Sequence, residues 1–448
     1  MKKRLLALIV CLILGINNIC FAELLGYTND KSVNLEDSVK LALLNNRNLI
    51  IANEEISMIK YKTDEALAYR FTQLDLLANY SHYKLEHDYY TVNNSADTFL
   101  LKKDKEDQHT VRFNLSQILY SGRRTSNTKK GSEVSLKKAK SEFETIKNNV
   151  VYSTKLSFYK YLLEKEKLEI LQKNQKYIGR LDDLKDELGI LLTEDESNDF
   201  ESFYKDFAFK IDGRTIDRDV AKLNFFNIIG VEQNSLLDIN GKLTQVAALD
   251  KDLDTCIAKA LYLRPELLSS EASEELGFLE INISMAEKNP VIAFNASYQY
   301  SADILQMQKD AWTSDWHIGL NMNIPIFDGG TWIARNNQKK INLRKLKLKK
   351  SEMEENIKLD IKKAYMQYEL AKKKLDYENQ YFGKYNKNFN IAEIYSKIDN
   401  NKIRNKEDWL FCLKNFRRHI QINTDNLDAI FDYNKNNLSL HFIMGDIS

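Results

Sequence analysis

The chain describes itself twice. Leu35 to Ala42 reads L-E-D-S-V-K-L-A and Leu253 to Ala260 reads L-D-T-C-I-A-K-A, and the same offset of 218 residues later places Tyr80 on Tyr298. Downstream, Tyr120-Ser121-Gly122 matches Phe327-Asp328-Gly329 at an offset of 207, so the first copy holds 11 more residues between its tyrosine and its glycine. Ile229-Gly230 and Met444-Gly445 close the copies at an offset of 215. A repeat of this length outranks any local motif, because whatever one copy folds into the other must also fold into and pack against.

Residues 1-22 have a basic start (Lys2, Lys3, Arg4), an apolar stretch from Leu5 to Ile16 and Cys20-Phe21-Ala22 as a small-x-small cleavage site, the pattern of a secretory signal peptide cleaved after Ala22. Ile19 before Cys20 does not suit lipoprotein processing, so export without a lipid anchor is expected. Without that segment, 62 basic residues face 64 acidic ones, and this balance gives no field for nucleic acid. Two of the four cysteines lie in the leader; Cys256 and Cys412 stand far apart on expected helices, which argues against a disulfide or metal framework. Only 3 prolines in 448 residues and 29% charged residues suit very long helices. No mature segment reaches the ~18 consecutive apolar residues of a transmembrane helix, but an exported chain can enter a membrane as strands.

Past the second copy's glycines, Ile357, Ile361, Ala364, Tyr368, Ala371 and Leu375 step by four and three. Phe382, Tyr385, Phe389 and Ala392 continue the register, interrupted only by Glu378. Leu136, Ala139, Phe143, Ile146 and Val150 repeat the pattern in the first copy. Heptads alone describe any antiparallel coiled coil. Yet a helix over 125-188 would run on the order of 95 Å at ~1.5 Å per residue, far beyond the needs of one globular domain. Gly189 followed by the Thr193-x-x-Glu196 capping box ends it, and Asn401 and Asn405 offer the matching turn and cap in the second copy. Each copy therefore makes a helical hairpin with a tight tip.

Four stretches alternate with period two: 74-90 and 110-120 in the first copy, 291-301 and 315-327 in the second. A half-buried soluble sheet alternates in the same way. Strands of about ten residues, aromatics near their ends (Tyr80, Tyr83, Tyr298, Tyr300, Trp312, Trp316) and an export signal instead match outer-membrane barrel strands. Open edges cannot face lipid and known barrels need at least ~8 strands, so four strands must be shared among several chains.

In these features the mature chain resembles the TolC family of bacterial outer-membrane efflux and secretion channels. Ala260-Leu261-Tyr262-Leu263-Arg264-Pro265-Glu266-Leu267 is similar to the family's A-L-x-x-N-P-E-L helix, Asn289-Pro290 opens a strand, and Ile324-Pro325-Ile326-Phe327-Asp328-Gly329-Gly330 resembles its P-L-F-D-G-G turn. The first copy departs, with Arg47, Thr72 and Ile118 at the proline positions and Gly122-Arg123 at the turn. The resemblance implies a mostly α-helical fold with a membrane β component: a homotrimer in which each protomer gives four strands to one 12-stranded barrel and its helices to a periplasmic tube. The expected organisation is 1-22 signal peptide, 23-230 first repeat with tip about 189-196, 231-252 equatorial connector, and 253-448 second repeat with helix about 331-397 and tip about 398-406. The resemblance further implies passive export of small molecules or polypeptides across the cell outer membrane with a periplasmic adaptor and an inner-membrane pump, by efflux or type I secretion, without cofactors.

Gly122, Pro325, Asp328, Gly329 and Gly330 are expected to shape the strand-to-helix turns. The tips around Gly189, Thr193, Asn401 and Asn405 are expected to meet the adaptor. Asp408 falls where the family's second tip often carries a lumen-narrowing acid, and threefold symmetry would turn it into a ring; its plainer role is a first-turn carboxylate after Asn405. Phe411 stands where a second such acid would sit. No nucleotide loop, His-Glu-x-x-His pair or Gly-x-Ser-x-Gly elbow occurs, and His82, His87 and His109 cluster only loosely near the first strand loop. The alternative from another class is a periplasmic coiled-coil adaptor or scaffold that forms no pore, which would have to explain two lipid-suited hairpins.

Overall fold

The computed structural model describes residues 32–82, 89–94, 97–102, 107–233, 237–302, 312–388, 391–400 and 402–447. A short strand β1 (Ser32–Val33) leads into helices α1 (Leu35–Asn45) and α2 (Arg47–Ala68), then strand β2 (Gln73–His82). Strands β3 (Tyr89–Asn94), β4 (Asp97–Lys102) and β5 (Asp107–Ser121) follow. Helices α3 (Arg124–Glu187) and α4 (Glu194–Ile229) and strand β6 (Asp238–Ile239) complete the first half. The second half repeats the order with α5 (Leu253–Leu263), α6 (Pro265–Ala286), β7 (Val291–Ala302), β8 (Trp312–Asn323), α7 (Thr331–Asn388), α8 (Ile391–Asp399) and α9 (Lys406–Ile443).

The offset of 218 holds to the residue: α1 and α5, and α2 and α6, begin and end at equivalent positions. Local chemistry differs beneath that identity. Asn46 closes α1 and opens α2, its side chain accepting from the Asn48 N–H at 3.0 Å. The second copy makes the same break with Pro265 at the first helical position, where the missing N–H costs nothing.

Four strands form one antiparallel sheet in the order β2-β5-β7-β8, with a bulge at Ile118/Tyr120. Each strand runs straight on from or into a helix, so the sheet order continues as a helix layer α2, α3, α6, α7. α4 packs on α3, and α9 packs on both α3 and α7. The strand bounds differ from the sequence expectation. β2 is described to His82, residues 83–88 of the expected 74–90 stretch lie outside the described residues, and Tyr89–Asn94 pairs with Asp97–Lys102. β8 ends at Asn323, not 327: its ladder with β7 closes at Val291–Asn323, and Pro325 has no N–H to extend it. The long helix of the second copy is described to Asn388; residues 389–390 lie outside the described residues, and α8 follows them.

The heptad residues Ile357, Ile361, Ala364, Tyr368 and Leu375 are buried against Ala429, Tyr433 and Leu440 of α9. The described part of the connector between the copies has little secondary structure of its own and lies against α9 and α7. Side chains of α9 satisfy its backbone: Asn434 accepts from the Val246 N–H at 3.0 Å and donates to the Thr244 carbonyl at 2.8 Å, while Asn437 donates to the Ala247 carbonyl at 2.9 Å. The Tyr368 hydroxyl accepts from the Leu249 N–H at 3.0 Å, and burial raises its pKa. Here too Lys167 of α3 meets Asp428 of α9 at 2.5 Å, and buried Glu164 meets Lys160 at 2.5 Å and Arg214 of α4 at 3.0 Å. Burial alone would raise the Glu164 pKa, but these cations hold it below the usual carboxylate value. Cys256 and Cys412 are buried free thiols. Among the described residues no helix is long and apolar enough to cross a membrane.

Candidate functional site

The sheet has two unlike faces, and register fixes which residues share them. On one face Leu76, Phe113, Tyr298 and Trp316 form a row across all four strands, and Leu74, Leu115, Ala296 and Ile318 form another. On the other, Asp75, Asn114, Ser297 and His317 align, as do Gln73, Ser116, Asn295 and Gly319. Leu77 is an apolar exception on this polar face, in a row where the Arg112 Nε donates to Gln299 Oε1 at 2.7 Å and Asp315 follows. The apolar face is not a core: Trp316 is 72% exposed, Leu74 68% and Leu320 68%. A fully buried side chain of this kind contributes ~1.5–3 kcal/mol, so a whole face left in water would forfeit a large part of a protein's stability. Such a face suits hydrocarbon on one side, and the polar face suits water on the other.

The strand-to-helix turns are built differently in the two copies. Asp328 caps α7 with both carboxylate oxygens, Oδ1 accepting from the Gly330 N–H at 3.1 Å and Oδ2 from the Trp332 N–H at 2.6 Å. Gly329 and Gly330 carry φ of 70° and 84°, and Pro325 lies in the irregular segment between β8 and these glycines. In the first copy Ser121 takes the capping place, its Oγ accepting from the Thr125 N–H at 3.4 Å, and the left-handed pair is Gly122 and Arg123.

At the far end the two helical hairpins are fastened together. Gly189 ends α3 with φ 59°, and the Ile190 N–H returns to the Lys185 carbonyl at 3.0 Å. Thr193 and Glu196 make the reciprocal capping box of α4, and Glu196 also takes Lys406 of α9 at 2.5 Å. That lysine, then the Thr193 amide, lowers the Glu196 pKa. Asn405 caps α9 by accepting from the Asp408 N–H at 2.8 Å; Asn401 lies outside the described residues. Asp408 is half-exposed in the first turn of α9. Next to it Trp409 is fully buried, its indole N–H donating to the Leu181 carbonyl at 2.7 Å and its ring edge-on to Phe200 at 4.9 Å. Arg417 reaches Asp199 at 2.8 Å and lies over Phe203, and burial pushes the Cys412 thiol up to about 11.

The structure thus brings Thr193 and Asn405 to one helical end through Glu196 and Lys406, and holds the turn residues about a long helix away. Trp409, Lys406 and Arg417 fasten that end without having stood out in the sequence. The signal was present in part: Trp409 follows Asp408 at the fourth position of a capped helix, where its ring turns toward the partner hairpin. Of the three histidines, His82 pairs with Asp107 at 2.8 Å, His109 stacks on Tyr80, and His87 lies outside the described residues. No group of three metal-type ligands occurs among the described residues.

Residues 256–395 match the family described as outer membrane efflux protein. Comparison with curated protein sequences gives no match. The fold is similar to that of VceC, an outer membrane protein of Vibrio cholerae (13% identity, 92% of this chain and 96% of that one, TM-score 0.71). It is similar also to the MtrE outer membrane channel of Neisseria gonorrhoeae (13%, 92% and 88%, TM-score 0.72) and the CmeC outer membrane channel of Campylobacter jejuni (15%, 92% and 85%, TM-score 0.69).

Proposed function

We propose, from a chain whose residues 256–395 match the outer membrane efflux protein family and of which 92% takes the fold of outer-membrane channels, that three copies form a channel-tunnel for passive export. It is not an enzyme; a channel needs a hydrated bore and a gate, not a catalytic group. The observation that carries the reading is the sheet with one exposed apolar and one polar face, continued strand by strand into long helices. Four strands cannot close on themselves, whereas three copies supply twelve. The sheet then sits in the outer membrane with its apolar rows toward lipid, and the helices extend into the periplasm.

The joined tips are the end that meets a periplasmic adaptor, with Gly189, Thr193 and Asn405 at the turns, Asn401 expected beside them from the sequence, and an inner-membrane pump beyond. Leu191, 88% exposed between Gly189 and Thr193, offers an apolar contact there. Asp408 is the proposed gate residue, one carboxylate per copy near the axis. The driving force and the choice between small molecules and polypeptides belong to the pump. Membrane fractionation followed by planar-bilayer recording of the purified protein tests the reading: outer-membrane material with stepwise conductance is expected, and a soluble, non-conducting monomer would overturn it. The same result decides against the pore-free adaptor or scaffold.

A further inference from the structure

The first twenty residues of α7, Thr331 to Lys350, contain eight basic residues and no acidic one. Half of that charge is answered inside the chain by α6, through Arg335–Glu287 at 3.3 Å, Lys339–Glu280 at 3.0 Å, Lys347–Glu274 at 3.7 Å and Lys350–Glu271 at 3.1 Å. Lys340, Arg344, Lys345 and Lys349 are exposed and pair with no carboxylate among the described residues. Between them an apolar stripe also stands open, with Ile341 51% and Leu348 71% exposed. At the opposite edge of the layer, α2 shows the same defect with the opposite sign. Ile51, Met58 and Tyr61 are exposed there, with Glu54 and Glu55 between them and no basic partner for either among the described residues.

The chain contains the template for joining these edges. Its two repeats meet where α3 packs on α6, and there Val134, Ala272 and Leu279 are buried with Leu276 against them. Shifting α3 by 207 residues and α6 by 218 turns Val134 into Ile341, Leu276 into Met58 and Leu279 into Tyr61. Val134 and Leu279 are 8% exposed, whereas Ile341 is 51% and Tyr61 74%. The turn behaves likewise. A Cβ on Gly122 would lie 2.3 Å from that of Asn289, but a Cβ on Gly329, its repeat equivalent, would meet nothing within 4 Å among the described residues. The equivalent of Asn289 is Phe71, 70% exposed at the other edge of the chain.

We infer that α7 of one copy packs antiparallel on α2 of the next by repeating the α3–α6 contact, with Ile341 on Met58, Leu348 on Ile51, and Arg344 and Lys345 facing Glu55 and Glu54. Along α7 the four positions follow the spacing 341, 344, 345, 348; along α2 they follow 51, 54, 55, 58. Run in opposite directions, each residue meets its complement, apolar on apolar and cation on carboxylate. The carboxylates are specific to this joint, since Ala272 and Ser273 occupy the positions of Glu54 and Glu55 in the template, whereas Lys137 and Lys138 already stand at the positions of Arg344 and Lys345. The contact is head-to-tail, so it builds a ring, in which Phe71 of the next copy would close over Gly329. It rests on the channel reading and adds to it which faces join and in what register.

The test is disulfide trapping in the full chain in its membrane. Met58→Cys with Ile341→Cys should give a covalent ladder ending at the trimer on oxidation, and neither single variant should. Val134→Cys with Leu276→Cys, an intrachain pair, serves as the positive control. Arg344→Glu with Lys345→Glu should reduce the trimer at least tenfold, and adding Glu54→Lys with Glu55→Lys should restore it. Conducting trimers that trap the control pair but not 58 with 341 would overturn this register and leave the channel reading standing. A monomer that never conducts would overturn both.

Discussion

The two strand-to-helix junctions occupy equivalent places in the repeats and are held by different means. At Ser121-Gly122-Arg123 the cap is a hydroxyl and one left-handed residue is an arginine, but Asn289 presses on the glycine and donates to its carbonyl at 3.1 Å. At Asp328-Gly329-Gly330 there is no such neighbour among the described residues, and the turn has a carboxylate cap and two glycines. Where packing supports a turn its local chemistry can drift; where the turn stands at an edge it must hold itself. The same contrast accounts for the complete Gly-Gly turn lying only in the second copy.

The tips offer the largest way to sharpen that contrast. Trp409 and Ser197 both lie four residues after their helix caps, yet only the tryptophan enters the joint core. Trp409→Ala should cost about 3–5 kcal/mol and loosen both hairpins, while Ser197→Ala should stay within about 0.5 kcal/mol; denaturant unfolding with limited proteolysis at the tips would show both. Next come the glycines. Gly122→Ala combines a left-handed backbone with a clash and should cost about 2–4 kcal/mol, against about 1 for Gly329→Ala in the monomer. Equal losses would contradict the different support of the two turns, and a Gly329→Ala loss that grows on trimer formation would show that the next copy supplies the support missing in the monomer.

Arg123→Gly is expected to act in the other direction. It relieves a left-handed arginine at φ 70° and should raise stability by about 1 kcal/mol, read as a rise in Tm, whereas the mirror change Gly330→Arg should lower it. The Glu196–Lys406 clasp depends on pH in a fixed sense. Because the folded state lowers the carboxyl pKa, its support is complete above the ordinary value of 4.5 and is lost as pH falls below it. Tip proteolysis should therefore quicken on acidification through that range, and Glu196→Gln should flatten the response. The smallest structural effect belongs to Asp408→Asn, which should leave Tm unchanged and weaken cation preference and block by multivalent cations in bilayer recordings; unchanged recordings would remove it as the gate.

Much of this was legible because the repeat is. An offset of 218 between two sequence fragments placed α1, α2 and β2 on α5, α6 and β7, and alternation in residues 292–300 assigned each side chain to a face. Heptads from Ile357 to Leu375 gave the contact of α7 with α9. The connector between the copies was not legible, because its backbone is satisfied by Asn434 and Asn437, each 190 residues away from its acceptor. Nor was Trp409, whose pocket comes from Leu181 and Phe200 on the other hairpin. The second stripe on α7, Ile341 and Leu348, was not legible because no described residue of the same chain covers it.

The most direct measurement exploits neighbouring residues on β8. Leu320 lies on the apolar face and Asn321 on the polar one. In single-channel recordings, Asn321→Cys treated with a charged water-soluble thiol reagent should lose conductance in up to three steps, one per copy, while Leu320→Cys should not respond. Equal response of the two cysteines, or no conductance from either protein before treatment, would contradict a lipid-facing and a water-facing side of the same sheet.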